Sequence, residues 1–273
     1  MHVRWAAMNP GSRENPVDRE NPVIRENPVI RENKVKVAGM SISASSPDGD
    51  DSVYLEWHSL DHMPEQYQIP GLLYGQRWAS TPECRAARAV QSERFAPTNH
   101  VVQYLFGEPV AQAIDDWFTL GANLGRVGRF PHRLPAVFFA GFDVVECHAA
   151  PSALVTDAIV PYRPNRGMYL AIERPADPAT SPPWTPEHVE ALLAIDGVAG
   201  MWSFRASALR PDRFDPIHHH ATVCYLDGDP VTVAPAVAEI VTDRWEHVPA
   251  TPELAAPFVT VRAWEWDRFR NPG

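Results

Sequence analysis

The stretch YLFGEPV at residues 104–110 returns, slightly changed, as YLDGDPV at residues 225–231, 121 positions further along the chain. A second match precedes it. His62 and His188 are each followed seven positions later by an Ile-X-Gly sequence, and these two copies are 126 positions apart. Two anchors that recur in the same order, with loops of slightly different length between them, indicate a diverged internal duplication.

Each half also carries the same order of hydrophobic patterns, in which period-2 strand signals alternate with helical periodicity. The order is strand, helix, strand, strand, helix, strand. In the first half the predicted elements are 35–44, 50–68, 72–80, 100–106, 108–124 and 136–146. In the second half they are 167–173, 185–195, 198–206, 219–226, 229–245 and 258–266.

This βαββαβ order is typical of the ferredoxin-like fold, whose helices lie on one face of a four-stranded sheet. The other face must be covered, and two such units in one chain can cover each other. We therefore predict an α+β protein in which two tandem ferredoxin-like repeats pack sheet to sheet as an intramolecular α/β barrel. The first repeat is expected at 35–150, and a linker with the second repeat at 151–273.

The N-terminal region has a different character. Residues 13–33 repeat the hexamer RENPVI almost perfectly, with a proline in each full unit. Proline at this spacing blocks helix formation and strand pairing, and so few apolar residues cannot offset the entropy of ordering. We predict that residues 1–34 form a disordered low-complexity tail.

Composition limits the classes of partner. The 273-residue chain has a formal net charge of −10, which opposes binding to nucleic acid and to anionic membrane surfaces. Its three cysteines form no CxxC pair, so a disulfide framework is not expected and a reducing cytoplasm is the simplest location. A small-molecule ligand is the expected partner, and the expected state is a monomer with an internal pseudo-dimer, or a homodimer.

Four short motifs resemble the signature of EthD-like proteins in the dimeric α/β-barrel superfamily. They are EWH at 56–58, DHMPE at 61–65, IPG at 69–71 and RW at 77–78. The resemblance is good over residues 40–150 and holds only in outline in the second half. It implies the barrel, here formed within one chain. The superfamily includes dehydratases, decarboxylases, cofactor-free monooxygenases, isomerases, haem proteins and members without known activity.

The first predicted helix carries the main candidate site. On a helical projection Val53, Trp57 and Leu60 form the core stripe, and a polar arc beside it contains His58 and His62. Either histidine can act as base or acid near neutral pH, and His62 is the stronger candidate. The same arc holds two acids, Asp61, expected to orient an imidazole, and Glu65. The alternative is that these residues only stabilise the helix around Pro64.

Other candidates lie on strands. Arg77 is predicted to point into the barrel and hold a negatively charged oxygen; its alternative is a salt bridge to Glu83 or to helix carboxylates. Tyr104 is expected to share that role and is matched in sequence by Tyr225. Three more side chains, together with Glu65, are predicted to bind substrate: Trp57, Trp78 and His100.

A run of histidines at 218–220 offers a further possibility. His218 and His220 share a strand face and suit a divalent metal, with Asp215 as the best third ligand. We predict no metal and no cofactor, because the run has no clear third ligand and no phosphate-binding or nucleophile motif is present. Haem, by analogy with the superfamily, is the alternative.

Together these features predict a cofactor-independent enzyme, a lyase or a cofactor-free oxidoreductase. It would be a dehydratase, decarboxylase or monooxygenase acting on a small hydrophobic or aromatic carbonyl compound by histidine-mediated proton transfer. The predicted catalytic residues are His62, His58, Asp61, Arg77 and Tyr104. A non-catalytic ligand-binding or structural barrel is the second reading, and a haem or metal protein is the third.

Overall fold

The computed structural model describes residues 32–177, 184–215 and 218–266. The first half contains β1 (Val37–Ser43), α1 (Ser52–Trp57), a π-helical turn (His58–His62), α2 (Met63–Gln66), β2 (Leu72–Ala79), α3 (Pro82–Ala86), β3 (Val90–Gln91), β4 (His100–Phe106), α4 (Val110–Arg126) and β5 (Ala136–Ala149). After two short 3-10 turns (Pro151–Ala153 and Asp157–Tyr162) the second half contains β6 (Gly167–Pro175), α5 (Pro186–Ala194), β7 (Val198–Ala206), β8 (His220–Leu226), α6 (Pro230–His247) and β9 (Ala250–Thr260).

Both halves follow the predicted βαββαβ order, with α3 and β3 as additions in the first half. The last strand was misplaced, because it begins at Ala250 rather than at 258. The predicted disordered tail lies outside the described residues except at 32–34. There Asn33 Nδ2 donates a hydrogen bond to the Sγ atom of Cys147 at 3.2 Å.

Eight strands close into a barrel. Their order is β2-β4-β1-β5-β7-β8-β6-β9, and β2 pairs with β9 to complete the ring. Among the described strands, three pairings join the halves: β5 with β7, the short β3 with β9, and β2 with β9, where Trp78 lies opposite Thr260. Every neighbouring pair is antiparallel. The predicted α+β barrel is confirmed.

Alternate residues of each strand fill the barrel interior or face the helices outside, as the period-2 geometry of strands requires. On β4, Val101 and Leu105 belong to the interior core, whereas Val102 and Tyr104 belong to a cluster under α4. The second half has its own outer cluster beneath α5 and α6. The molecule therefore has one shared interior core and two separate spaces between helices and sheet.

The two matched glycines of the Ile-X-Gly sequences make the same turn. Gly71 and Gly197 have φ of +89° and +92°, in the left-handed region that favours glycine. The carbonyl of Gly71 accepts from Gly107 N at 2.8 Å, and that of Gly197 accepts from Gly228 N at 3.0 Å. The recurring glycines therefore bring the start of β2 against the end of β4, and the start of β7 against the end of β8.

Strand pairing corrects one sequence match. Tyr104 lies opposite Gly75 in the first half, and Cys224 lies opposite Met201, the residue 126 positions after Gly75, in the second. Tyr104 thus corresponds to Cys224 and not to Tyr225. The one-residue difference reverses the face, so Tyr225 points into the barrel and its hydroxyl donates to Gln103 Oε1 at 2.9 Å.

Candidate functional site

A cavity of about 460 Å³ lies outside the barrel in the first half, between the sheet and the helices α1, α2 and α4. The loop between α4 and β5 covers part of it. Its apolar walls come mainly from α4, β5 and this loop. They include Val102, Trp117, Phe118, Phe130, Leu134 and Phe139. The volume lies in the range of small-molecule sites, which are mostly apolar with a few polar groups.

The segment from α1 to α2 turns a polar face toward this cavity. His58, His62 and Gln66 are buried, whereas Val53 and Leu60 are 55% and 42% exposed. The predicted core stripe of Val53, Trp57 and Leu60 is therefore wrong. The buried residues still recur at helical spacing, but apart from Leu55 they are polar. A projection that seeks apolar residues therefore selects the opposite face.

His58 is 2% exposed and lies against Tyr104. Its Nε2 is 3.0 Å from the Tyr104 hydroxyl, and its Nδ1 has no hydrogen-bond partner within residues 32–177, 184–215 and 218–266. Burial, with smaller effects from the charges of Arg77, His62 and His100, lowers the pKa of His58 well below its usual value. The ring is therefore neutral at pH 7. Because a hydroxyl can donate or accept, either ring nitrogen of His58 can carry the single proton.

His62 has a more defined tautomer. Gln66 Nε2 lies 2.7 Å from His62 Nε2, and since an amide nitrogen only donates, the proton of the neutral ring is on Nδ1. Trp57 stacks on the ring with centroids 4.9 Å apart, and Phe130 meets it edge-on at 4.8 Å. Burial, together with the charge of Arg77, lowers the pKa of His62 to about 4.

Arg77 supplies a buried positive charge. The side chain is 4% exposed, and its Nη2 donates to the Tyr54 hydroxyl at 2.9 Å. Nε and Nη1 have no partner, and no ion pair to Arg77 forms within the described part of the chain. Two expectations are corrected. Arg77 points out of the barrel toward the helices, and neither Glu83 nor a helix carboxylate neutralises it.

Tyr104 faces the same cavity from β4. It is 2% exposed, and burial is the main reason that the pKa of its hydroxyl is raised above the ordinary value of 10. The hydroxyl therefore stays protonated through the physiological range. The structure brings His58, His62, Arg77 and Tyr104 together around one cavity.

The other predicted site residues lie elsewhere. Asp61 and Glu65 both pair with Arg129, at 2.9 and 2.6 Å, on the outer side of the helix. Asp61 therefore does not orient either imidazole. His100 is fully buried against Asp51, 2.7 Å away, and does not line the cavity.

The two tryptophans differ from each other. Trp57 flanks the site by stacking on His62. Trp78 is 1% exposed inside the barrel, where its Nε1 donates to Asn165 Oδ1 at 3.1 Å. Its predicted substrate contact is corrected by strand alternation, because Arg77 and Trp78 are neighbours on one strand and face opposite sides.

Sequence reasoning missed several lining residues. Tyr54 and Gln66 lie four positions before His58 and four after His62, on the same helix face. That spacing was a usable signal. Phe130, His132 and Arg133 come from a loop, and the Asp51–His100 pair joins residues 49 apart, so nothing local in the sequence indicates either feature.

In the second half, a large side chain takes the position that matches His58. Trp184 donates from Nε1 to the Thr222 hydroxyl at 3.1 Å, and Arg244 lies 4.7 Å above its ring. Arg244 is paired with Glu173 at 2.6 Å. Ser203 stands where Arg77 stands in the first half. The second half therefore lacks the polar set that surrounds the first-half cavity.

The histidine run does not assemble a metal site. His218 is exposed, whereas His219 and His220 are buried. The carboxylate of Asp215 accepts from Phe139 N at 2.9 Å. Over 32–177, 184–215 and 218–266, no group of three or more His, Cys, Asp or Glu side chains is placed to hold a metal ion. In the same ranges no helix has the length and apolar character needed to cross a membrane.

Comparisons with known proteins add little about function. No protein-family model and no curated protein matches the chain. A solved structure described as an anthrone oxidase-like protein is 11% identical, with a TM-score of 0.48, over 85% of this chain and 93% of its own. A mutant chlorite dismutase from Candidatus Nitrospira defluvii is 12% identical, with a TM-score of 0.47, over 87% of this chain and 96% of its own. Likenesses this weak carry no argument about activity.

Proposed function

We propose that the chain is an enzyme that moves a proton on a small hydrophobic or aromatic carbonyl compound without a bound cofactor. The observation that carries the proposal is the meeting of two neutral buried histidines and an unpaired arginine on one cavity. Groups whose pKa is shifted by burial and by a nearby charge, inside a cavity, are typical of catalytic sites. Dehydratases, decarboxylases and cofactor-free monooxygenases all form negative charge next to a carbonyl group.

In this proposal His58 is the base. When the Tyr104 hydroxyl accepts from His58 Nε2, the lone pair of Nδ1 is free to take a proton from the carbon beside the carbonyl. The electron pair of the broken C–H bond moves onto the carbonyl oxygen. Negative charge that develops on the substrate raises the pKa of the imidazole and favours the transfer.

Arg77 holds the oxygen on which that charge develops, and His62 donates to it from Nδ1. This division of roles departs from the sequence-based preference for His62 as base. It follows from Gln66, which occupies His62 Nε2 as a donor and leaves no lone pair on that ring. Asp61 takes no part in the chemistry.

The test is enolisation of a probe ketone. 2-Tetralone is incubated with the protein in D2O, and exchange of its α-protons for deuterium is followed by NMR. The wild type should accelerate exchange, and His58→Gln should reduce that acceleration by about 100-fold or more, the usual range for a general base. His62→Gln should reduce it by about 100- to 1,000-fold, through the loss of one donor to the oxygen.

His188→Gln is the matched control, because it changes the corresponding histidine of the second half, which pairs with Asp243 at the surface. Its exchange rate should equal that of the wild type. No acceleration by the wild type, or full acceleration by a folded His58→Gln variant, would contradict the proposal. Ligand binding without exchange would favour the alternative of a non-catalytic binding protein.

Haem fits the described residues poorly. An axial ligand needs a ring nitrogen free to meet iron. The Nε2 atoms of His58 and His62 are both engaged, by Tyr104 and Gln66, so of these two rings only His58 offers a free nitrogen, Nδ1, and that atom is buried. An absorption spectrum of the purified protein tests this alternative directly. A strong band near ~400 nm that disappears in His58→Ala would favour haem.

We also propose that the chain is related to EthD-like proteins and arose by tandem duplication. The matched turns at Gly71 and Gly197 support the duplication. In the EthD-like motif, His58 and His62 face the cavity, and Asp61 and Glu65 hold Arg129. An alignment of homologues in which Arg129 varies together with these two acids would support the relationship.

A further inference from the structure

The charged side chains that line the cavity are all positive. Among its eighteen lining residues are two arginines, Arg77 and Arg133, and no aspartate or glutamate. This composition is notable in a chain whose formal net charge is −10. The nearby acids are already occupied: Asp51 by His100, and Asp61 and Glu65 by Arg129. The positive charge of Arg77 therefore has no counter-charge from the described part of the protein.

Arg244 shows how this fold otherwise treats a buried arginine. It is 4% exposed, like Arg77, but it makes hydrogen bonds of 2.6 and 3.1 Å to the two oxygens of Glu173. Burying a charge is costly unless it is paired and hydrogen-bonded. Arg77 is equally buried but has no carboxylate partner among the described residues. Its site is therefore suited to a ligand that brings a negative charge.

Most of the other free polar atoms at this site are donors. In the described part of the chain, neither Nε nor Nη1 of Arg77 has a hydrogen-bond partner, and the Nδ1–H of His62 has none either. Both histidines are neutral, so His62 can donate to an anion and neither ring adds charge to the site. A carboxylate, with two oxygens and several lone pairs, accepts more of these hydrogens than a neutral carbonyl does.

We propose that the cavity binds a planar aromatic carboxylate, with its carboxylate on Arg77 and its rings between the aromatic walls. Trp117, Phe118, Phe130 and Phe139 supply those walls, and the volume suits one or two fused rings. The inference rests on the same cavity as the proposed function, but it names a class of ligand rather than the substrate, because a carboxylate joined to an aromatic ring leaves no α-hydrogen for His58 to remove. It concerns the charge of the ligand before any proton moves, so it does not depend on turnover.

The test compares an acid with its neutral amide by isothermal titration calorimetry. The probes are 2-naphthoate and 2-naphthamide, which have the same rings and nearly the same shape. The wild type should bind the acid about 10- to 100-fold more tightly, the range expected for hydrogen bonds to a charged group. In Arg77→Met the two affinities should become nearly equal.

Arg244→Met is the matched control. It should keep the wild-type ratio of affinities but melt at a lower temperature, because Glu173 loses its partner. Arg77→Met should melt at or above the wild-type temperature, because no carboxylate is left unpaired. Equal binding of acid and amide by the wild type, binding of neither, or an unchanged ratio in Arg77→Met would overturn the proposal.

The wild-type comparison needs no variant, so the test stands even if Arg77→Met fails to fold. It is also separate from the exchange experiment. Tight naphthoate binding without deuterium exchange would contradict proton transfer and leave the carboxylate site intact. Deuterium exchange on 2-tetralone without preferential binding of 2-naphthoate would support proton transfer and contradict the carboxylate site.

Discussion

At the residue scale, the structure buries polar side chains where the pattern predicted apolar ones. His58, His62 and Gln66 occupy the inner face of their segment, and each keeps at least one polar atom without a partner among the residues that the structure describes. A buried donor or acceptor that lacks a hydrogen bond costs free energy. These atoms lie around one cavity, and a ligand bound there would supply their missing hydrogen bonds.

The turn glycines give a prediction at this scale. A Cβ at Gly71 would lie 2.9 Å from Gly107 O, and its φ of +89° disfavours other residues. Gly71→Ala should therefore destabilise the protein by about 1–3 kcal/mol, measured by urea unfolding. Gly125→Ala, in open space on α4, should stabilise it by about 0.5–1 kcal/mol. Equal effects of the two changes would contradict this account of the turn.

Some of the site was readable from single residues. Chemistry and spacing identified His58, His62, Arg77 and Tyr104, and all four line the cavity. Which way Arg77 points depends on strand register, and which partner Asp61 takes depends on a loop 68 residues away. Long-range choices of this kind have no signal in a local pattern, which is why Asp61, Glu65 and Trp78 were assigned to the wrong surroundings.

At the scale of elements, the loop between α4 and β5 behaves as a cover held by one arginine. Phe130, His132 and Arg133 line the cavity from this loop, and Arg129 ties it to Asp61 and Glu65. The three charged groups are 35–46% exposed, so solvent weakens their attraction. The pairs hold the loop in place while contributing little to global stability.

Arg129→Met should therefore loosen the loop without unfolding the barrel. Hydrogen exchange of amides at 127–134 should become faster by about 10-fold, while the free energy of unfolding, measured with urea, changes little. Arg126→Met, a nearby change that leaves both acids paired, is the control. Unchanged exchange in Arg129→Met would show that the aromatic contacts of Phe130 alone hold the loop.

The order of elements was predictable because each half repeats it, and two weak patterns in the same order support one another. The start of β9 at Ala250 was not predictable from the sequence pattern. Pro252 and Pro257 lie within that strand, and proline usually argues against strand structure. Pro252 stands beside an irregularity in the pairing of β6 with β9, which is where a sheet tolerates proline.

At the scale of the whole molecule, eight strands share one interior, but only one of the two outer spaces is equipped as a site. The second half fills the matching position with Trp184 and neutralises Arg244 with Glu173. The first half keeps His58 and Arg77 there instead. The two halves therefore share the order of their elements without sharing the site.

Buried neutral histidines make stability depend on pH. The pKa of His62 is lowered from 6.5 to about 4, so the unfolded state takes up a proton before the folded state does. Its contribution is fully present above about pH 6.5 and is lost as pH falls toward about 4, a total of about 3 kcal/mol. Urea unfolding measures how much the free energy of unfolding falls between about pH 7 and about pH 5. This fall should be smaller in His62→Gln than in the wild type by about 2 kcal/mol. Parallel losses in the two proteins would contradict the assignment.

The most direct test of the central claim is to fill the first-half cavity. Gly121 lines it, and a Cβ there meets nothing within 4 Å, so Gly121→Phe places a ring in the space with no clash at its Cβ and removes a helix glycine. Calorimetry with 2-naphthoate should show affinity reduced by about 100-fold or more, at an unchanged or higher melting temperature. Wild-type affinity in a folded Gly121→Phe protein would mean that the ligand binds elsewhere.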